Sequence, residues 1–317
     1  MLSPSASAST EPPPTPSPPR PYIRVLGYPY GVAISPDGGH AYIPTGRAGA
    51  LVVIDTHTKQ RSARIWTGGV DVGISPDGRR AYTTVQAASY ANDWGPGSVR
   101  VIDTATDTEI GHVSVGVNPV GLAVAPDGRR VYVANSGSDS LSVVDTASGK
   151  VVDEVKVGSD PVDVVVSPDG RRVYVANSGY GTPASLSVID TATDKVIGWP
   201  GRLGDFTYGL AVTPDGRRLY VTDQLGTVSV VDTATGKVTG EPVPVGRHPK
   251  DVVVSPDGRR AYVTSEGSDS LSVIDTSTNK VTDTIYVHQP TRIALTPDGR
   301  HAWITQFWGG LVWVIDF

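Results

Sequence analysis

An all-β ring of seven four-stranded units is the fold class that the sequence predicts, and three observations predict it. The tripeptide PDG occurs seven times, with its carboxylate at Asp37, Asp77, Asp127, Asp169, Asp215, Asp257 and Asp298. A second signature, V-[IV]-D, also occurs seven times, ending at Asp55, Asp103, Asp145, Asp190, Asp232, Asp275 and Asp316, and the two alternate without exception. The composition agrees: 36 Gly and 26 Pro mark frequent turns, while Val, Ile, Thr and Tyr, the residues that suit strands, dominate over helix formers. A period in the forties that carries short alternating strands is the sequence signature of a β-propeller blade.

The elements follow in chain order. Residues 1–20, MLSPSASASTEPPPTPSPPR, form a Ser/Pro tract. Such a tract cannot bury apolar surface, so a disordered linker is expected there. It has no apolar h-region and so does not read as a signal peptide. The propeller is expected over 21–317. Its repeating unit is clearest in the third blade. PVGLAVA (119–125) is strand A, and PDGRR makes the A–B turn. In that turn Pro presets φ, Asp bonds its own backbone and Gly takes the positive φ. RVYVAN (130–135) is strand B, SLSVVD (140–145) strand C, and KVVDEVKVG (150–158) strand D. In the C–D turn, Asp145 and Thr146 are side-chain-to-backbone bonders. The last unit stops at VIDF (314–317), the end of a C strand, whereas YIRVLG (22–27) reads as a D strand without a blade. The chain start is therefore expected beside 311–316, closing the ring and hiding its open edge.

Runs such as SPDGRRVYVANSGSDSLSVVDTASGKVVDEVKVG resemble the YVTN-family propeller repeat, over about residues 22–317. The resemblance is specific for fold and nearly silent on function, because the repeated residues are the turns and strands themselves. It implies a surface or envelope protein, and a Pro-rich stalk ahead of the domain agrees with an extracellular or envelope setting. A cytoplasmic protein with a disordered tail is the alternative.

The bulk numbers exclude several functions. Net charge is −5, so no global basic field draws the chain to nucleic acid. The absence of cysteine removes disulfides, thiolate metal sites, c-type haem attachment and thiol nucleophiles. No apolar run approaches the ~20 residues of a membrane span. No GxSxG, HExxH, P-loop or GxGxxG motif is present. A monomer is expected.

Much of the chemistry-bearing side-chain set is scaffold. Strand B carries an aromatic in every unit, at Tyr42, Tyr82, Tyr132, Tyr174, Tyr220, Tyr262 and Trp303, which reads as packing between blades. Five GRR doublets follow the A–B turn, at Arg79/Arg80, Arg129/Arg130, Arg171/Arg172, Arg217/Arg218 and Arg259/Arg260. They ring one face, the bottom, where the PDG and VID carboxylates roughly neutralise them. His40, His57, His112 and His301 also fall in turns or strands of that side and receive no role.

The opposite, top face is built by the D–A and B–C loops, which vary between units, and variable loops on a rigid scaffold usually carry function. They hold aromatics that the repeat does not need, at Tyr28, Tyr30, Tyr90, Trp94, Tyr180, Trp199, Phe206, Tyr208, Phe307 and Trp308, as a binding rim would. The third position of strand A reads Gly31, Asp71, Gly121, Asp163, Gly209, Asp251 and Arg292 around the axis. Small residues suit a crowded axis, and Arg292 is placed to neutralise Asp251. Asp160, His248 and His288 lie in the preceding loops. His248, His288 and Asp251 are candidate ligands for a divalent metal ion. The candidate ligand-binding set is Tyr30, Asp71, Trp94, Asp163, Tyr180, Phe206, Tyr208, His248, Asp251, His288, Arg292 and Trp308.

Two functions compete. The first is a non-catalytic binding propeller that recognises a small molecule, peptide, glycan or protein on its top face. The second is a metal-assisted lyase or lactone hydrolase at the channel mouth, since streptogramin-type lyases are similar propellers with histidine at that place. Its candidates would be His248, His288, Asp163, Asp251 and Arg292. Quinoprotein and haem d1 domains are similar in fold as well, but the lack of cysteine counts against c-type haem and the vicinal disulfide of many quinoproteins.

Overall fold

The structure, a computed structural model, describes residues 22–46, 49–87, 95–179, 183–198, 203–204 and 206–317. Seven antiparallel sheets make a seven-bladed β-propeller; six run A-B-C-D in chain order, and the seventh takes its D strand from the chain start. In blade 3 strand A is Pro119–Val124, B Arg130–Asn135, C Ser140–Asp145 and D Lys150–Lys156. The expected linker 1–20 lies outside the described residues, among which no helix is long and apolar enough to cross a membrane.

The ring closes through the chain start. Tyr22–Arg24 pairs antiparallel with Leu311–Asp316, in the register Tyr22↔Trp313, Ile23↔Val312 and Arg24↔Leu311. This strand is shorter than 22–27. Val25 N still donates to Gly310 O at 2.9 Å, and Gly27 then turns out of the sheet with φ 100°. Blade 5 departs as well. Its D strand is split into Lys237–Val238 and Val243–Pro244, because Gly240 takes φ 70° and Pro242 and Pro244 offer no N–H to a ladder.

The core is divided into seven clusters, one at each interface between neighbouring blades. Tyr132, Val143 and Ala134 of blade 3, for example, pack on Val164, Val173 and Ile189 of blade 4. Each strand B aromatic belongs to one cluster, with Trp303 of blade 7 meeting Val32, Ile43 and Val52 of blade 1. All seven are buried, so the aromatic stripe is packing between blades.

The repeated turn residues lock one another. In the A–B turn, Ser75 Oγ donates to Asp77 Oδ1 at 2.6 Å and accepts from Arg80 N at 2.9 Å. In the C–D turn, Asp103 Oδ1 accepts from Ala105 N and Thr106 N, both at 3.0 Å. The threonine after V-[IV]-D joins the two turns: Thr104 Oγ1 donates to Gly78 O at 2.6 Å, and Thr146 Oγ1 to Gly128 O at 2.8 Å. In blades 2 to 5 the second arginine of the doublet then crosses to the next blade. Arg80 Nη1 donates to Thr146 O at 3.1 Å and Arg130 Nη1 to Thr191 O at 2.9 Å. Arg172 and Arg218 reach Thr233 O and Thr276 O in the same way. The first arginine of each doublet is exposed.

Candidate functional site

The third position of strand A lies where neighbouring blades come closest. A Cβ built on Gly121 would stand 2.9 Å from Asp163 Cα, and one on Gly209 2.7 Å from Asp251 Cα. One built on Gly31 would stand 2.6 Å from Asp71 Oδ1. Real side chains do not tolerate such contacts, so glycine is required in blades 1, 3 and 5. The aspartates of blades 2, 4 and 6 use the space it leaves and reach the following blade. Asp71 Oδ2 accepts from Leu122 N at 3.0 Å, Asp163 Oδ2 from Leu210 N at 2.9 Å, and Asp251 Oδ2 from Ile293 N at 3.0 Å.

Blade 7 supplies the counter-charge. Arg292, 8% exposed, holds Nη1 at 3.3 Å from both Asp163 Oδ1 and Asp251 Oδ1. The neutralisation expected for Asp251 is thus present, and it extends across the axis to Asp163. Burial pushes the Asp71 carboxyl up to about 6 and the Asp251 carboxyl up to about 7, against the opposing pull of Arg292. Asp163 and Asp251 in turn hold the Arg292 guanidinium well above its ordinary value, although burial opposes them.

Above this layer stand Tyr30 and Tyr208. The guanidinium of Arg292 lies 5.5 Å from the Tyr30 ring centroid. Crowding by protein atoms raises the Tyr30 phenol. Lys250 Nζ lies 4.8 Å from the Tyr208 ring centroid and 3.2 Å from Glu266 Oε2. Sequence reasoning missed Lys250. It sits one residue before Asp251, at the strand A position that Tyr30 and Tyr208 occupy in their own blades, and that alignment was the available signal.

The candidate metal ligands do not converge. His288 Nδ1 lies 3.0 Å from Asp269 Oδ1. His248 takes a left-handed backbone, φ 51°, beside Gly267. Asp251 is committed to backbone amides and Arg292. Among the described residues no three His, Asp or Glu side chains group as a metal site would. Asp160 Oδ2 accepts from Ser178 Oγ at 2.6 Å.

The rim aromatics gather at the seam. Tyr28 and Tyr30 precede blade 1, and Phe307 and Trp308 belong to the B–C loop of blade 7. The ring centroids of Tyr28 and Phe307 are 5.2 Å apart, those of Phe307 and Trp308 5.0 Å, and those of Tyr30 and Phe307 6.1 Å. Trp308 is 67% exposed. Phe206 is exposed elsewhere on the face. Trp94 and Tyr180, like Tyr90 and Trp199, lie outside the described residues.

Comparison with known proteins supports the architecture. A family model described as the cytochrome D1 heme domain matches residues 92–199. No curated protein matches the sequence. Among solved structures, a chain of Kuenenia stuttgartiensis hydrazine synthase superposes with a TM-score of 0.82 at 21% identity, covering 97% of this chain and 99% of that one. At that identity the likeness shows the fold alone.

The described residues do not fit a haem in the matched stretch. His112 is its one histidine, and it lies on the outer strand D of blade 2, opposite Arg100. The axis presents three carboxylates, which disfavour an anionic macrocycle, and the one arginine in their layer is already paired with two of them.

Proposed function

We propose that the protein is a non-catalytic binding propeller whose ligand docks on the top face, at the aromatic cluster where the ring closes. One observation carries the reading: four aromatic side chains from opposite ends of the chain, Tyr28, Tyr30, Phe307 and Trp308, form one contacting cluster, with the indole of Trp308 largely in solvent. The repeat does not require them, and exposed large aromatics in mutual contact favour recognition. Their faces suit an apolar or ring-bearing part of a small molecule, peptide, glycan or protein segment.

The repeat consensus supports a YVTN-type propeller, and with the Pro/Ser tract it supports an extracellular or envelope setting. The lyase or lactone hydrolase alternative needs a free base and a metal at the axis, and it draws no support from carboxylates engaged by amides and Arg292.

The test is Trp308→Ala, screened beside the wild type on glycan and peptide arrays. An exposed side chain contributes little to stability, so the melting temperature should move by less than about 2 °C. Wild-type hits should weaken by tenfold or more, a loss of about 1.4 kcal/mol. Hits that the variant keeps at full strength would place the ligand elsewhere and end this reading.

A further inference from the structure

Blades 1 and 7 carry histidine, His40 and His301, where the stapling arginine stands in blades 2 to 5. Their surroundings differ in sign. The carboxylate of Asp107, on the C–D turn of blade 2, interacts with His40. The equivalent residue facing His301 is Lys59, which takes the same left-handed conformation on the C–D turn of blade 1. Cation therefore meets imidazole at the seam, and no staple forms. His301 turns Nδ1 to Asp316 of its own blade, at 2.7 Å. Among the described residues nothing donates to Thr56 O, the counterpart of the carbonyls that Arg80 and Arg130 reach.

The seam is left open as a cavity of about 450 Å³ on the bottom face, a size typical of small-molecule sites. Trp303 and Val314 give it an apolar wall, and His57, Lys59 and His301 line it with donors. Asp37 and Asp298 also border it as carboxylates, held ionised by a hydroxyl and a backbone N–H of their own turns that bind Oδ1, so the donors must act on the side of the cavity lined by Lys59 and the histidines. Lys59 forms no ion pair among the described residues. The Lys59 ammonium and the Nε2 edges of His57 and His301, whose Nδ1 atoms are engaged by Thr56 and Asp316, stand beside an apolar wall and suit an anionic ligand with a flat body.

We propose that this seam cavity binds a small organic anion, a carboxylate or phosphate monoester carried on a planar apolar group. The site is on the opposite face from the aromatic cluster and does not depend on it.

The six histidines provide a direct readout through their imidazole Cε1–H proton resonances. The full chain is titrated with phenyl phosphate, inorganic phosphate and benzylammonium. Phenyl phosphate should shift His57 and His301 saturably, leave His112, His248 and His288 in place, and bind about tenfold more tightly than inorganic phosphate. Lys59→Asp should weaken binding by about tenfold or more. It keeps the turn, because Asp107 and Asp194 hold that position in blades 2 and 4. His301→Arg should restore a staple to Thr56 O, fill the cavity and abolish binding. The proposal is overturned if His57 and His301 do not shift, if Lys59→Asp binds as well as the wild type, or if either inorganic phosphate or benzylammonium binds as tightly as phenyl phosphate.

Discussion

At the scale of single residues, the carboxylates divide into two populations with opposite pH behaviour. Asp71 and Asp251 have folded-state values of about 6 and about 7, above the ordinary 3.8. Between those limits the folded chain holds protons that the unfolded chain has released, so their contribution falls as pH rises through that window. The turn carboxylates, such as Asp77, Asp103 and Asp169, are held below 3.8 by hydroxyl and amide hydrogen bonds. Their contribution is present above that value and is lost as pH falls through the lowered one. The melting temperature should therefore peak near about pH 5 and decline toward pH 8. Asp251→Asn should flatten that decline. Thermal melts followed by circular dichroism from pH 3 to 9 decide the matter, and a wild-type midpoint that climbs steadily to pH 8 would contradict it. The sequence showed that Asp71, Asp163, Asp251 and Arg292 share one layer. It could not show which were spoken for, because their hydrogen bonds run to backbone amides of the following blade, 42 to 51 residues away.

At the scale of elements, the turns do more than reverse the chain. The PDG turn, the aspartate that ends strand C and the threonine after it were legible as turn chemistry. The staple from blade to blade was not, because the two arginines of a doublet look equivalent in sequence. Only the second reaches the next blade: Arg130 Nη1 meets both Thr191 O and Asp194 Oδ1, the latter at 2.8 Å. Arg130→Ala should lower stability by about 1 kcal/mol, whereas Arg129→Ala should stay within about 0.5 kcal/mol. Urea unfolding of both variants tests this, and equal losses would return the doublets to the role of a charge-balanced rim. Strand D was the least legible element. In blade 5 it fragments around Gly240 and two prolines, since the outermost strand has no neighbour beyond it to enforce a ladder.

At the scale of the whole molecule, the ring depends on its two ends meeting. Blade count, strand order and the closing strand were readable because seven copies of one pattern must agree. The rim was less so, because its loops do not repeat. The seam carries the closing strand Tyr22–Arg24 and the ring contact of Tyr22 with Trp313 at 5.5 Å. Deleting residues 20–28 should leave an open sheet edge and a protein that aggregates or loses its cooperative melt. A soluble monomer with an unchanged melt, seen by gel filtration and circular dichroism, would show closure by another route.

The glycine and aspartate layer at the axis has a consequence of parity. Blades 1, 3 and 5 yield space and blades 2, 4 and 6 fill it, so the structural period there is two blades. A two-coloured ring closes only on an even number, and seven is odd. The mismatch falls on blade 7, which must follow an aspartate and precede a glycine while being neither. Arg292 is the defect that resolves this frustration, reaching back to two of the three aspartates at once. A tandem of the pair that carries Gly121 and Asp163 would have no such mismatch to resolve, and nothing at its axis would favour seven blades over six or eight.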